Sequence, residues 1–180
     1  MGNRNRRGSQ VAANGIAVYV TKQCAYVHPD GERCRRLTTL THPYCAHHTR
    51  HVHGVEVRPS TIPGAGLGLF AVRRIPKDTF LFHYDGDRLS VAEYSERYAE
   101  LGFGPYAIEL NQRTVIDAYR TDAGIARFIC SYHGSGRKPN VQYLSTGKCV
   151  EVWTIRTIEP GQELLADYGE EMAKALGLLR

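Results

Sequence analysis

From Val55 onward the apolar residues fall in short β-branched and aromatic runs broken by Gly and Pro. Gly54-Val55-Glu56-Val57, Thr79-Phe80-Leu81-Phe82 and Thr114-Val115-Ile116-Asp117 have the make-up of strands of about four to six residues joined by tight turns. Ser90-Val91-Ala92-Glu93 is a capping box. The periodic apolar positions that follow it to Leu101, with Gly102 after them, predict a helix of about three turns. A second helix is predicted from Glu170 to Leu179. Many short strands with few helices predict a mostly β domain. The glycine-dense stretch Pro63 to Ala71 is not followed by Lys and Ser/Thr, so it is no nucleotide P-loop. It opens no long helix either, which argues against a dinucleotide fold.

The segment ahead of this domain reads differently. Asn3 to Gln10 has no apolar period and carries Arg4, Arg6 and Arg7, which predicts a flexible basic arm over residues 1–20. Residues 21–53 hold too few large apolar side chains to build a core, so another interaction must hold them together. Cys24, Cys34, Cys45 and His48 supply one. Three thiolates and an imidazole arranged tetrahedrally around Zn2+ would stabilise the segment, and a close Cys-x2-His pair with two distant cysteines suits a structural site. His28, His42, His47, His51 and His53 compete for the fourth position, and spacing selects His48.

Composition adds four constraints. The 180 residues leave room for one real core and a small satellite. Five cysteines without a secretory signal point to reduced thiols or metal ligation, hence cytosol or nucleus. No apolar run approaches the ~20 residues of a spanning helix, so no membrane partner is expected. The net charge of +5 is unevenly spread: residues 1–58 hold nine Lys/Arg against three Asp/Glu, residues 83–122 four Arg against eight acids. A basic end suits nucleic acid, through counterion release, and an acidic middle suits a basic partner.

Two resemblances follow from these residues. Cys24-x9-Cys34-x10-Cys45-x2-His48, with Arg35-Arg36 and the Tyr44-Cys45 step, resembles the WRC-type zinc knuckle of plant transcription regulators, although Glu32-Arg33 stands where that family has Trp-Arg. Ser60 to Ala71 resembles the opening loop of SET domains, and His83-Tyr84-Asp85-Gly86 their Glu-Tyr-x-Gly strand end. Val115 to Ala118, Ala126-Arg127-Phe128-Ile129 and Pro139-Asn140-Val141 resemble the segment that normally ends Arg-Phe-Ile-Asn-His-Ser-Cys-x-Pro-Asn. Pro160 to Gly169 is similar to the closing Glu-Leu-x-x-Asp-Tyr-Gly.

The SET resemblance implies a mostly β fold of small curved sheets with a C-terminal pseudoknot over residues 54–169, between the zinc module at 21–53 and the C-terminal helix at 170–180. It implies a protein-lysine N-methyltransferase that moves a methyl group from S-adenosylmethionine to a lysine of a basic protein such as a histone tail. The alternative is a catalytically inactive chromatin reader or scaffold with a nucleic-acid- or protein-binding zinc module. Either places the protein in the nucleus, with cytoplasm as the second compartment, among chromatin-complex subunits. By carry-over Tyr168 stands at the reacting centre, with Tyr84 and Tyr106 at the lysine channel. Gly66, Leu67, Gly68, Arg127, Phe128 and Cys130 would hold the cofactor, and the acids Asp85, Asp87, Glu93 and Glu109 would suit a basic peptide, Glu93 fitting a solvated helix face better.

The chemistry suits these residue types. A free lysine has a pKa of about 10.4, and a narrow aromatic channel disfavours its charged form by desolvation. Two departures stand out. Cys130-Ser131 replaces the family's Asn-His, and a thiol is a weak donor and acceptor beside an amide; Ser131, Tyr132 or His133 are the candidates to restore the contact. Only Cys149 follows Cys130, so the C-terminal helix, not a cysteine cluster, is expected to close the site.

Overall fold

The computed structural model describes residues 18–178. The basic arm as far as Ala17, and Leu179 at the predicted end of the second helix, lie outside the described residues. Short strands dominate, as the apolar runs imply. The N-terminal module contains β1 (Lys22–Gln23), β2 (Leu37–Thr38) and α1 (Ala46–His53), with β1 and β2 paired antiparallel. The larger domain begins with the hairpin β3 (Val55–Pro59) and β4 (Leu67–Ala71). Then come β5 (Phe80–Tyr84), β6 (Asp87–Ser90), α2 (Val91–Arg97), β7 (Ala107–Asn111) and β8 (Thr114–Asp117). Two 3₁₀ turns, Thr121–Ala123 and Ile125–Phe128, lead to β9 (Cys130–Ser131), β10 (Val141–Ser145), β11 (Val150–Thr154), β12 (Leu165–Ala166) and α3 (Glu170–Ala175). Two three-stranded sheets run in the orders β10-β11-β5 and β6-β8-β7. Among the described residues no helix is long and apolar enough to cross a membrane.

β9 and β12 pair in parallel, Leu165 beside Cys130 and Ala166 beside Ser131. Around that pair the chain is threaded. Leu164 N–H donates to Leu69 O, Tyr132 N–H to Ala166 O, and Asn140 N–H to Leu165 O. The Asn140 side chain closes the knot, donating to Glu163 O at 2.8 Å and accepting from Leu165 N–H at 2.8 Å. The core lies under this crossing: Val55, Leu69, Val141, Val150, Val152, Ile158 and Leu164 are at most 1% exposed. β-branched residues fit that pleated, two-sided burial.

The capping box forms: Ser90 Oγ accepts from Glu93 N–H while the Glu93 carboxylate accepts from Ser90 N–H. The helix it starts is shorter than predicted. It ends at Arg97 because Tyr98 turns inward, 2% exposed, to donate its hydroxyl to Asp117 at 2.8 Å. The chain then closes in a tight turn to Gly102, whose φ of 74° suits glycine. α3 likewise ends early, at Ala175, ahead of Gly177 with φ 68°.

The small module is tied to the larger domain by polar links. Val18 O accepts from Thr121 N–H, Val20 N–H donates to Thr121 Oγ1, and Lys22 pairs with Asp122 at 2.7 Å. Burial would raise the Asp122 carboxyl, but Arg120 and Lys22 outweigh it and hold the group well below the usual carboxylate range. A depressed folded pKa gives stability that is present above about pH 4 and lost as the pH falls through the folded value.

Asn140→Ala removes two hydrogen bonds at the crossing and leaves Leu165 N–H without its partner. We expect a loss of about 1–3 kcal/mol in stability, read as a lower urea midpoint with an unchanged slope.

Candidate active site and metal centre

Strand alternation places the first wall of the site. In β5, Phe82 and Tyr84 point inward while His83 is exposed. Tyr84 is 5% exposed and donates its hydroxyl to Tyr106 O at 2.9 Å, and its ring meets Tyr143 of β10 edge-on at 5.5 Å. Arg127, in the second 3₁₀ turn, donates to Ala118 O at 2.8 Å and Tyr119 O at 3.0 Å, and its guanidinium lies 4.2 Å from the centre of the Tyr106 ring. Tyr168 follows the knot strand and donates its hydroxyl to Ile129 O at 2.5 Å.

These residues separate two cavities. A narrow channel of about 200 Å³ is lined by Tyr84, Tyr106, Tyr143, Ile129 and Tyr168, with Glu109 and Asp167 as its acids. A wider cleft of about 720 Å³ is lined by Gly66, Leu67, Phe128, Cys130 and Ser131. Pro105, Tyr106, Arg127 and Tyr168 line both. A ligand in each cavity would therefore meet the other across this shared wall.

Most of the residues singled out from sequence come together here. Tyr84 lies on the channel; Tyr106, Tyr168 and Arg127 lie on both cavities; Gly66, Leu67, Phe128 and Cys130 lie on the cleft. Gly68 does not. It is buried with its α-carbon against the Glu163 carboxylate, with which a Cβ would collide, so the glycine makes room for that acid rather than for a ligand. Among the acids, Glu109 lines the channel, whereas Asp87 is engaged by Arg97 at 3.0 Å and Glu93 by the helix cap. Asp85 is exposed outside both cavities. Of the residues offered as replacements for the missing amide, Ser131 lines the cleft, while Tyr132 and His133 do not.

Sequence reasoning missed Tyr143, which sits in an ordinary-looking half-buried strand. It also missed Tyr19 and Leu40, which bring the N-terminal strap to the rim of the cleft, whereas Leu176 and Leu178 reach that rim from the C-terminal segment expected to close it. No local signal marks the missed residues. They arrive through long-range packing.

The four ligand candidates of the small module also converge. Cys24, Cys34, Cys45 and His48 are all buried, with their ligand atoms within 4.8 Å of one another. Cys45 caps α1 and His48 lies one turn along it, so helix geometry sets that pair. Cys24 Sγ and Cys45 Sγ lie 3.5 and 3.4 Å from His48 Nδ1. A tetrahedral Zn2+ with bonds of about 2.3 Å to sulfur and 2.0–2.1 Å to nitrogen requires about 3.6 Å there, so the donors fit the ion. Tyr26 stacks on the His48 ring at 3.9 Å. The competing histidines, although His28 and His47 lie near His48, stay outside the group of four.

The sequence pattern of the family described as "SET domain" matches residues 66–169, more than half of the chain. This chain belongs to the SET-domain family. A histone-lysine N-methyltransferase, H3 lysine-4 specific, of Chaetomium globosum is 34% identical over 105 residues, 56% of this chain and 10% of that protein. The histone-lysine N-methyltransferase Set8 of Drosophila pseudoobscura pseudoobscura is 25% identical over 130 residues, 68% of this chain and 18% of that protein. The chain thus spans less than a fifth of either relative. The solved structure "ctPRC2 in an autoinhibited conformation bound to S-adenosylmethionine" superposes with a TM-score of 0.58 at 22% identity, covering 70% of this chain and 17% of that one. That likeness shows the fold.

Within the SET domain, burial raises the hydroxyl pKa of Tyr84, Tyr143 and Tyr168 well above the usual tyrosine value, and at Tyr84 it outweighs the opposing pull of Arg127. All three stay neutral donors in the physiological range. Burial likewise pushes the Cys130 thiol up to about 11, so it lines the cleft as an uncharged group, 3.5 Å from Leu67 O.

Proposed function

We propose that this SET domain is a protein-lysine methyltransferase that uses S-adenosylmethionine and acts on a basic protein, a histone tail being the first candidate. One observation carries the reading: the channel and the cleft meet only through the wall of Pro105, Tyr106, Arg127 and Tyr168. An in-line displacement needs two ligands aligned from opposite sides of one centre, and this wall lies between two sites of suitable shape. The H3 lysine-4 and Set8 relatives support the substrate class.

When bound, S-adenosylmethionine supplies a methyl group on a positively charged sulfur. The cleft residues Gly66, Leu67, Phe128, Cys130 and Ser131 would hold it, with Tyr19 and Leu178 at the rim excluding water. Tyr84, Tyr106 and Tyr143 wall the lysine channel. Their rings remove water from the amine and favour its neutral, nucleophilic form. Glu109 and Asp167 draw the cationic chain in. The Tyr168 hydroxyl spends its proton on Ile129 O, which leaves its lone pairs for electropositive groups at the centre. Arg127 acts as a positioning residue, because its donors are committed to Ala118 and Tyr119. The family's side-chain amide is absent, and Cys130 offers a weaker contact, so the cofactor rests mainly on backbone and wall.

Residues 21–53 form, on our reading, a zinc-stabilised module, 54–169 the catalytic domain and 170–180 a closing tail. The module's topology suits a WRC-like knuckle that binds nucleic acid or a chromatin partner. Arg35 and Arg36 are exposed and available for phosphate, whereas Arg33 is taken up by the Gln23 and Cys24 carbonyls. Such a protein works in the nucleus.

Labelled-cofactor transfer to nucleosomes and free histones, together with calorimetric cofactor binding, tests the assignment. No binding at millimolar cofactor would leave the scaffold reading in its place. Tyr168→Phe is expected to keep the fold and cofactor binding and to cut transfer by about tenfold or more; unchanged turnover would remove Tyr168 from the centre. Because Tyr84, Tyr143 and Tyr168 stay protonated, kcat/KM is expected to rise from pH 7 to 9 as substrate lysine deprotonates, with no falling limb in that range. Cys34→Ser is expected to release the zinc of the N-terminal cluster and unfold residues 24–48 while sparing the SET domain, as metal analysis and circular dichroism would report.

A further inference from the structure

A second group of metal-binding side chains lies on the outer face of the sheet whose inner face walls the channel. In β5 and β11 the register sets His83 directly opposite Glu151, so their side chains share one face. Cys149 stands two residues before Glu151, which returns it to the same side. The three ligand atoms lie within 4.8 Å of one another. One imidazole, one thiol and one carboxylate thus converge without any help from the N-terminal cluster.

The surroundings orient these groups as ligands. Trp153 Nε1–H donates to Glu151 Oε2 at 2.7 Å, which fixes the carboxylate and leaves Oε1 unengaged by that bond. The Thr146 hydroxyl lies 3.3 Å from Cys149 Sγ, inside a turn closed by Thr146 N–H donating to Cys149 O. Phe80 packs on both His83, at 5.2 Å, and Trp153, at 5.6 Å, an apolar flank beside the imidazole. Outer partners of this kind set ligand direction and raise metal affinity. An ordinary surface acid pair has neither the soft donor nor these supports.

We propose that His83, Cys149 and Glu151 form a second transition-metal site that takes Zn2+, with the fourth position open to water or an outside ligand. The donor set is one that Zn2+ accepts, and three protein ligands leave a tetrahedral position free. Binding exchanges the thiol proton for the metal: Cys149 S–H breaks, Cys149 S–Zn forms, and the proton goes to solvent. The N-terminal cluster is closed and fully buried, while this one is partly exposed, so its ion exchanges more readily. It also joins the β10–β11 hairpin to β5. Tyr84 and Val150, each next in sequence to a ligand or between two of them, point into the channel, so an ion here braces the channel wall from outside.

The test uses the full chain with its N-terminal cluster already loaded with zinc. Calorimetric titration with Zn2+ is expected to show one further, weaker equivalent, and titration with Co2+ a near-ultraviolet thiolate-to-metal band. Cys149→Ser should abolish the band, and His83→Ala should weaken binding by at least about tenfold. Trp153→Phe, which keeps every ligand, should weaken it by about tenfold through the loose carboxylate. Added Zn2+ should also slow alkylation of Cys149. No second equivalent, or one that persists unchanged in Cys149→Ser, would overturn the site; the latter result would assign the ion to the exposed histidines of the small module.

Discussion

The buried carboxylate of Glu163 is the constraint on which the rest of the domain depends. Its side chain is fully enclosed, yet it accepts hydrogen bonds from Ser60 Oγ at 2.5 Å, from Thr61 N–H and Oγ1–H, and from Arg137 at 3.2 Å. Burial alone would raise its pKa, but these donors outweigh burial and hold it below the usual value. A charge taken out of water is tolerable only when its lone pairs are filled in this way. The partners come from two distant segments, the opening loop and the loop after β9, and they tie both to the stretch just before β12 that carries Glu163. Satisfying one carboxylate therefore fixes the relative placement of the chain segments that frame the cleft. Gly68 belongs to the same arrangement, since any side chain there would occupy the space of the carboxylate.

From that knot the two cavities follow. β12 leads straight into Asp167 and Tyr168, so threading the strand beside β9 delivers Tyr168 to Ile129 O. Cys130 and Ser131, on the partner strand, line the cleft. The opposite side of the wall is set by Arg127, whose guanidinium stacks on Tyr106 while holding the end of β8. Tyr106 in turn accepts from Tyr84. Channel and cleft are thus outcomes of one hydrogen-bonded wall, and displacing a single member would disturb both.

How far this was legible from the residues depends on the range of the interaction. Local chemistry was readable: the Ser90–Glu93 box forms both of its bonds, the β-branched runs become strands, and Cys45 and His48 meet because a helix brings i and i+3 together. The SET-like motifs marked Tyr84 and Tyr168, and the family likeness offered Tyr106 beside them; all three reach the channel. What was not legible is what tertiary folding decides. Tyr98 shortens its helix because Asp117, far along the chain, offers its hydroxyl a buried partner. Tyr143 reaches the channel through the register of β10, and Tyr19 and Leu40 reach the cleft because Lys22 and the Val18–Val20 strap bind residues 121–122. No spacing in sequence encodes these encounters. Asp87 erred the other way, since a charge count cannot tell an acid aimed at a ligand from one already paired within the fold.

The replacement of the family's amide by Cys130 can be weighed in the same terms. A buried amide needs partners for up to four hydrogen-bonding positions, and unfilled ones are costly. The thiol asks for little. It sits among Ile62, Leu165 and Tyr132 as part of a small apolar cluster, within weak contact of Leu67 O and Ser60 Oγ at 3.5 and 3.7 Å. Being neutral, it places no charge beside Glu163, whereas a thiolate there would repel the carboxylate on which the knot rests. The substitution therefore preserves the frame and costs the cleft one directional contact. That loss falls on ligand affinity and leaves the shared wall of Tyr106, Arg127 and Tyr168 intact, so on the methyltransferase reading a departure from the motif at Cys130 is compatible with a working centre.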